Sequence, residues 1–261
     1  MDGFAKFHRF RKPVMFTIIA LFLLPVLARA SFYALSDAPR SWRDADWSST
    51  GSLPPAAREP QARLLVFTGT TGGWKGVLSV HSWIVFKREN ATAWTRYDVV
   101  GWGNPLRVNG WAPDGRWFGN RPVAIADAQG AEATALIPKI EQAVRSYPFN
   151  RDGDYRIWPG PNSNTFTAAV LRAVPELGVA LPPNAVGRDF RATFYAGLTD
   201  SRTGVELNLW GLFAVKLGWV EGAEVNLFGL VAGLDLRHPG VKLPGFGRIG
   251  IDQPVAAALA R

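Results

Sequence analysis

The chain has 261 residues, of which 48% are hydrophobic and 19% are charged, so most of it can bury a core and it is not a wholly disordered polymer. It contains no cysteine, which excludes disulfides, thiolate nucleophiles and cysteine metal sites, and its three histidines argue against a zinc centre built from several imidazoles. About half of the net charge of +8 lies in the first thirty residues and the rest is scattered, so we expect no nucleic-acid partner, no metal and no cofactor.

The N-terminus has the three-part layout of an export signal. The basic segment 1–12 precedes the uncharged apolar run 14–28, and Ala28-Arg29-Ala30 fits the small-x-small cleavage pattern. Apolar residues resume after Arg29 and continue to Leu35, so residues 1–35 are long enough to remain as a signal anchor instead. Basic residues before the apolar run keep the N-terminus in the cytoplasm. We predict a single-pass protein of the cytoplasmic membrane with its C-terminal domain outside; the alternative is a secreted or periplasmic protein cleaved near Ala30.

Residues 36–62 are predicted to form an extended tether, because this stretch contains four prolines and few aliphatic residues. The apolar run Leu64-Leu65-Val66-Phe67 predicts a short strand. The glycine-rich stretch 69–76 does not have the spacing of a phosphate-binding loop, and we interpret it as a turn.

A β-hairpin is predicted over residues 77–87 and 94–102, which are rich in β-branched and aromatic residues. Side chains alternate along a strand, so His81 and Trp83 share a face. If the hairpin is symmetric about Glu89-Asn90, Asp98 lies directly opposite His81, where a carboxylate would fix the imidazole tautomer and raise its basicity. Should Asp98 lie on the other face, Tyr97 is the better partner. The alternative is a structural histidine that hydrogen-bonds within a half-buried sheet.

Two amphipathic helices follow, the first over residues 131–146 with Pro138 inside it. The second is predicted to begin at Ser163, because Pro159 and Pro161 disfavour a helix before Asn162. A helix start offers free N–H groups and the positive end of the helix dipole, which would stabilise an oxyanion if Ser163 attacked a carbonyl. The alternative is that Asn162 or Ser163 only caps the helix.

The C-terminal part contains a short repeat. Residues 204–214 resemble residues 222–232, and each copy is predicted to form a strand, with a turn over 215–221 between them. Two copies are too few for a solenoid, so we interpret them as similar strands of one sheet. Residues 243–251 are expected to supply an edge segment.

The run Asn162-Ser163-Asn164-Thr165-Phe166 resembles the Asn-Cys-x-x-Phe motif at the nucleophile helix of circularly permuted papain-like proteins. That superfamily includes lecithin:retinol acyltransferase-like enzymes and permuted relatives of the NlpC-type cell-wall peptidases. The resemblance implies that His81 is the histidine, Ser163 the nucleophile, and Tyr97 or Asp98 the polar partner. The blocks His81-Ser82-Trp83 and 158–166 also resemble an uncharacterised family of bacterial membrane-associated proteins.

The nucleophile position departs from the superfamily, whose nucleophile is a thiolate. A serine hydroxyl is far harder to deprotonate than a thiol, so Ser163 requires a good base and a well-formed oxyanion hole. Without them, we expect a protein that is no longer catalytic and binds a ligand instead.

We therefore expect an α+β domain over residues 63–190, with an antiparallel sheet and packed helices in a permuted papain-like arrangement, followed by a β-rich extension over 191–261. The favoured function is a non-catalytic binding or scaffold module with its Trp-rich loops as the contact surface and a cell-envelope ligand. The alternative is a serine-dependent amide or ester hydrolase or acyltransferase acting on cell-wall peptides or lipids. The candidate catalytic residues are Ser163, His81, Asp98 and Tyr97, and the candidate binding residues are Asn162, Asn164, Thr165, Trp83 and Trp158.

Overall fold

The computed structural model describes residues 13, 15–37, 39 and 41–251. The predicted basic segment 1–12 and the end of the C-terminal extension, 252–261, lie outside the described residues. The described chain is a mixed α+β structure with two antiparallel sheets, few helices and an apolar helix near the N-terminus.

The first sheet contains five antiparallel strands in the order β4-β3-β2-β1-β5. The predicted strand and hairpin are present in this sheet. The strand bounds are Arg63–Thr70 (β1), Val80–Lys87 (β2), Thr95–Val99 (β3), Leu106–Val108 (β4) and Val123–Gln129 (β5).

The register of the hairpin differs from the predicted one. Ile84 pairs with Tyr97 and Phe86 with Thr95, so the hairpin is centred between Asn90 and Ala91, one residue later than expected. The turn causes this shift, because Asn90 adopts a left-handed backbone conformation and the Ala91 N–H bonds to the Arg88 carbonyl. The pairing therefore moves by two residues, which keeps every side chain on its predicted face.

Three helices accompany this sheet: Lys75–Leu78 (α2), Gly130–Arg145 (α3) and Ser163–Ala173 (α4). The helix α3 continues through Pro138, and its predicted apolar face is buried. Together, α3 and α4 cover one face of the sheet, and the core between them includes Leu64, Ile84, Phe86, Ile137 and Phe166.

The opposite face of the sheet carries a second core formed by Leu65, Phe67, Trp83, Val85 and Trp117. The segment predicted to be a tether lies against this core. The ring of Trp47 packs edge-on against Trp117 with 5.1 Å between centroids, and the Asp114 carboxylate accepts hydrogen bonds from Ser49, Thr50 and Ser52. The aromatic and hydrogen-bonding side chains of this proline-rich stretch therefore fasten it to the domain.

The second sheet contains seven antiparallel strands in sequential order. The bounds are Phe194–Leu198 (β6), Gly204–Leu209 (β7), Phe213–Gly218 (β8), Gly222–Leu227 (β9), Leu230–Asp235 (β10), Gly240–Leu243 (β11) and Gly247–Gly250 (β12).

Each copy of the C-terminal repeat forms one strand, a turn and the start of the next strand, and not the single strand predicted. The predicted turn 215–221 is wrong for residues 215–218, because these residues belong to β8. The true turn of the second copy is Phe228-Gly229, where both residues have positive φ, as a two-residue hairpin turn of type I′ requires. Phenylalanine is not typical of such a turn, so the composition of this stretch did not predict one at Phe228.

The apolar helix α1, Met15–Ala34, has a mean hydropathy of 2.0 and, by length and composition, could be a signal anchor or a membrane span. A signal sequence has the same properties. Within α1, Ile19–Leu23 forms a π-helical turn that lies against β10, and the following part packs against α2. The helix therefore contacts both the C-terminal sheet and the domain that carries His81.

Candidate functional site: a tryptophan-lined cavity

His81 and Asp98 form a hydrogen-bonded pair on one face of the five-stranded sheet. The Nε2 atom of His81 lies 2.8 Å from Oδ1 of Asp98, so the predicted contact is present. Because the hairpin register is shifted, Asp98 reaches His81 diagonally and does not stand directly opposite it. The Arg96 guanidinium donates to both oxygens of the same carboxylate, at 2.6 and 2.9 Å, and all three side chains are buried.

The charges around this pair disfavour a protonated imidazole. Burial lowers the pKa of His81 below its ordinary value; the bond and charge of Asp98 oppose the shift, and the charge of Arg96 adds to it. Burial alone would raise the pKa of Asp98, but the charge of Arg96 and the bonds from His81 and Arg96 outweigh it and lower that pKa. The pair is thus a neutral imidazole beside a carboxylate whose charge Arg96 already balances.

This arrangement also determines the histidine tautomer. An ionised carboxylate only accepts hydrogen bonds, so the ring proton lies on Nε2 and Nδ1 is an acceptor. Among the described residues, Nδ1 has no hydrogen-bond partner. The imidazole is stacked on Trp117, with ring centroids 3.6 Å apart.

The two other candidate residues on this hairpin pack in the cores on the two faces of the sheet. Tyr97 is on the other face of the sheet, where it packs against Phe86 in the core under α3, and it does not contact His81. Trp83 is completely buried between Phe67 and the Arg96 guanidinium and donates its Nε1–H to the Pro113 carbonyl. The structure therefore brings Asp98 to His81 and leaves Tyr97 and Trp83 as core residues.

Ser163 is the first residue of α4, as predicted, and Asn162 is the N-cap. The Asn162 side-chain oxygen accepts from the N–H groups of Asn164 and Thr165, at 3.0 and 3.1 Å. Its amide donates to the carbonyls of Ile157 and Val186, so this one side chain joins the helix start to two loops. Both N–H groups that Asn162 caps are thereby occupied and unavailable to an oxyanion.

The next two polar residues of the motif are also engaged within the protein. Asn164 accepts from Ser82 and donates to the Val80 and Val186 carbonyls, which ties the helix start to β2. Thr165 donates to the Gly187 carbonyl at 2.7 Å and completes a capping box with Asn162. The cap and these attachments together account for the cluster of polar residues at the start of α4.

His81 and Ser163 both line a cavity of about 920 Å³. It opens where β2 begins and β3 ends, and its walls are mostly aromatic and aliphatic. Among the described residues, no hydrogen bond joins Ser163 to His81. The Ser163 hydroxyl instead lies beside the Tyr155 phenol: burial raises the pKa of Tyr155, and hydrogen bonding to Ser163 partly opposes that shift.

Seven of the eleven tryptophans of the chain line this cavity. Trp158 was a candidate binding residue; it is half-exposed and donates its Nε1–H to the Phe228 carbonyl of the C-terminal sheet at 2.8 Å. The six others were not singled out from the sequence, although the tryptophan content and the Trp-rich loops signalled a contact surface. They are Trp42, Trp47, Trp74, Trp102, Trp111 and Trp117.

One cation lies among these apolar walls. Of the described residues that line the cavity, Lys75 is the one with a side-chain charge, because His81 is held neutral. Lys75 is part of α2, the short helix that packs against α1. The cavity therefore combines a large apolar surface with a single positive charge close to the apolar helix.

No curated protein and no solved structure matches the chain. A family model described as "Protein of unknown function (DUF3750)" matches residues 61–190. That range contains the whole five-stranded sheet, α3 and α4, together with His81, Asp98 and Ser163. The part of the chain that supplies the His81–Asp98 pair and the start of α4 is thus similar to an uncharacterised family, the DUF3750 proteins of unknown function.

Proposed function

We propose that residues 63–190 form a membrane-anchored binding module whose tryptophan-lined cavity holds a large apolar ligand with one anionic group. The cavity volume of about 920 Å³ is the observation that carries this proposal. It lies in the range of small-molecule sites, which are mostly apolar and contain few polar groups. Lys75 supplies the charge that an anionic group on the ligand pairs with.

The location of the cavity supports a ligand that comes from a membrane. Lys75 and Leu78 line the cavity from α2, and α2 packs against the apolar helix α1. In this proposal α1 is an anchor in the cytoplasmic membrane, the basic residues before it hold the N-terminus inside, and the remaining chain lies outside. A lipid or fatty acid then has a short path from the bilayer to the cavity.

The papain-like resemblance belongs to the same proposal. A histidine on β2 that precedes a helix beginning at the Asn-Ser motif is the chain order that the resemblance implies. We infer that the domain is a permuted papain-like fold whose nucleophile position holds a serine and whose catalytic capacity is reduced. Burial and Arg96 disfavour the imidazolium that a general base must become, and serine chemistry depends on a strong base.

A photoreactive fatty acid carrying a diazirine tests the binding proposal. The full chain in lipid nanodiscs is irradiated with this probe, and the modified peptides are mapped. We expect saturable adducts on cavity peptides that contain Leu78, Tyr155 or Ile157. Leu78→Trp, which fills the cavity, and Lys75→Glu, which reverses its charge, should each reduce these adducts several-fold.

Leu236→Trp is the matched control, because Leu236 is exposed in the turn after β10 and does not line the cavity. Ser163→Ala should also keep the adducts, since binding does not require the hydroxyl. Adducts confined to α1, or equal in the Leu78→Trp and Leu236→Trp variants, would contradict a cavity ligand.

A serine-dependent hydrolase or acyltransferase is the second candidate function. It is favoured by one observation: Ser163 and His81 line the same cavity, and Asp98 holds His81 through Nε2. A fluorophosphonate probe distinguishes the two functions. Labelling of the full chain that disappears in Ser163→Ala would replace the binding proposal with an enzyme, whereas the binding proposal predicts no labelling in either chain.

A further inference from the structure

The seven-stranded sheet has its apolar face turned outward. The strand registers align a row of apolar side chains across all seven strands: Leu198, Val205, Leu217, Leu234, Val241 and Ile249, with Ala223 on β9 completing it. A neighbouring row contains Leu207, Val215 and Val225. These side chains are exposed; Val205 and Leu217 retain 60% and 56% of their accessible surface.

The inward face of the same sheet is charged. Glu206, Lys216 and Glu224 are neighbours on β7, β8 and β9, Lys242 on β11 is separated from them by Gly233, and all four charged residues are buried. They pair with charged residues of the segment before the sheet: Lys216 lies 2.6 Å from Asp189, Arg191 lies 2.7 Å from Glu206, and Arg188 pairs with Glu224. These pairs lower the pKa of Asp189 and raise that of Lys216, although burial opposes both shifts.

This polarity is the reverse of that of a sheet that faces water. An antiparallel sheet with one solvated face directs its polar residues outward, and an uncovered apolar patch of several strands marks an interaction surface. Here the charges form ion pairs inside the protein. Away from α1, no described residue covers the apolar rows. The outward face is therefore built for an apolar partner.

The contact with α1 identifies that partner. Ile19–Leu23, within the helix that has the composition to enter a bilayer, lies against β10 of this sheet. The exposed side of α1 and the outward face of the sheet are therefore neighbouring parts of one apolar surface. Trp210, Trp219 and Phe228 are exposed in the turns at both ends of the strands, and aromatic residues of this kind prefer the membrane–water interface.

The geometry of the sheet determines how it meets the bilayer. Its strands have four to six residues and reach only about 20 Å, less than the hydrocarbon core of about 30 Å. The sheet is also open, and unpaired strand edges are not tolerated inside hydrocarbon. We propose that the outward face of the seven-stranded sheet docks flat on the surface of the bilayer that α1 enters.

The absence of cysteine from the chain allows a direct test. Val205→Cys and Leu217→Cys are each labelled with an environment-sensitive nitrobenzoxadiazole dye in the full chain, which is reconstituted in phosphatidylethanolamine–phosphatidylglycerol vesicles. Ala135→Cys is the control, because Ala135 is exposed on α3, which packs on the other sheet. We expect the dye at Val205 and Leu217 to emit as in an apolar medium and to be quenched several-fold by nitroxide-labelled lipids, while the dye at Ala135 is unaffected.

Two results would overturn the proposal. A water-like emission at Val205 and Leu217, unquenched by the nitroxide lipids, would show that the face does not touch the bilayer. An apolar emission that lipids do not quench, accompanied by energy transfer between differently labelled copies of the chain, would show that a second copy covers the face instead.

Discussion

At the residue scale, the cavity wall depends on one buried charge cluster. Asp98 is fully buried and accepts from Arg96 and His81, so each partner compensates part of the cost of removing its charge from water. Burial keeps His81 neutral, the charge of Arg96 adds to that effect, and the ring stacks on Trp117. In the binding module proposed above, the bonds among these residues hold His81 in the cavity wall.

Replacing Arg96 tests how far the cluster depends on its cation. Arg96→Met leaves Asp98 buried with only His81 as its partner, and we expect the free energy of unfolding to fall by about 3–5 kcal/mol. Lys139→Met is the control, since the Lys139–Glu176 pair is about half-exposed and its loss should change the free energy of unfolding far less. Urea unfolding of the two variants measures both values; an Arg96→Met loss no larger than the control would contradict the account.

The pH dependence of stability follows from the lowered pKa of His81. The folded chain keeps this imidazole neutral, whereas the unfolded chain takes up a proton below about pH 6.5. The stabilisation that the folded chain gains from a neutral His81 is therefore complete above about pH 6.5. It is lost as the pH falls toward the pKa of His81 in the folded chain, and the free energy of unfolding then falls by up to about 1.4 kcal/mol per pH unit.

Urea unfolding at about pH 7.5 and about pH 5.5 measures that loss. His81→Asn removes the titrating group, so the variant should be less stable at both pH values but lose less between them. The other titrating groups are shared by both chains and cancel in the comparison. An equal loss in the variant and the unmodified chain would assign the pH dependence to another group.

At the element scale, the start of α4 joins three parts of the domain. Asn162 caps the helix and bonds to two loops, and Asn164 bonds to β2 and one of these loops. The position of Ser163 on the cavity wall is a consequence of these bonds. A helix that begins at the Asn-Ser motif was predictable from the prolines before it, but its attachments were not, because they involve residues distant in the chain.

Two substitutions of Asn162 separate its two roles. Asn162→Asp keeps the oxygen that accepts from the helix N–H groups and loses the donors to Ile157 and Val186, whereas Asn162→Ala loses both. We expect Asn162→Ala to be the less stable variant by about 0.5–2 kcal/mol, the usual worth of an N-cap. Equal thermal stability of the two variants would mean that the cap contributes nothing here.

The sequence predicted local elements well and missed features that arise from distant contacts. The strand at β1, the hairpin, α3 and the start of α4 follow from apolar periodicity and proline positions. The hairpin register did not, because Asn90 in a left-handed conformation moved the turn by one residue. Strand β5 was missed because the buried positions of its alternating pattern are small alanines. The pairing of Arg96 with Asp98 was missed because nothing in the sequence around either residue predicts the ion pair.

The candidate site was predicted only in part, because some of its contacts join residues that are distant in the chain. His81 and Asp98 lie two residues off the expected register yet on one face, since a two-residue shift preserves the alternation. Tyr97, Trp83 and the polar residues of the α4 motif are occupied by packing or internal hydrogen bonds. The cavity itself is formed by loops that meet only in the folded chain. The tryptophan content therefore indicated a contact surface, but the sequence did not show where in the fold it lies.

At the scale of the whole molecule, residues from the parts that carry both sheets line the cavity, and the apolar helix lies next to it on the other side of α2. Trp158 from the first domain bonds to Phe228 of the C-terminal sheet, and both line the cavity, while α2 connects the cavity to α1. A docked sheet and an inserted helix would hold this opening at the bilayer surface. The arrangement fits a module that takes an apolar ligand directly from the membrane.

Quenching of tryptophan fluorescence by a brominated fatty acid tests this central claim most directly. Seven of the eleven tryptophans line the cavity, so a bound brominated chain should quench most of the emission. For the full chain in nanodiscs, we predict quenching that saturates near one fatty acid per chain and is largely lost in Leu78→Trp. Quenching that rises without saturation, to the same extent in both chains, would show that the probe acts only from the lipid and that the cavity binds no such ligand.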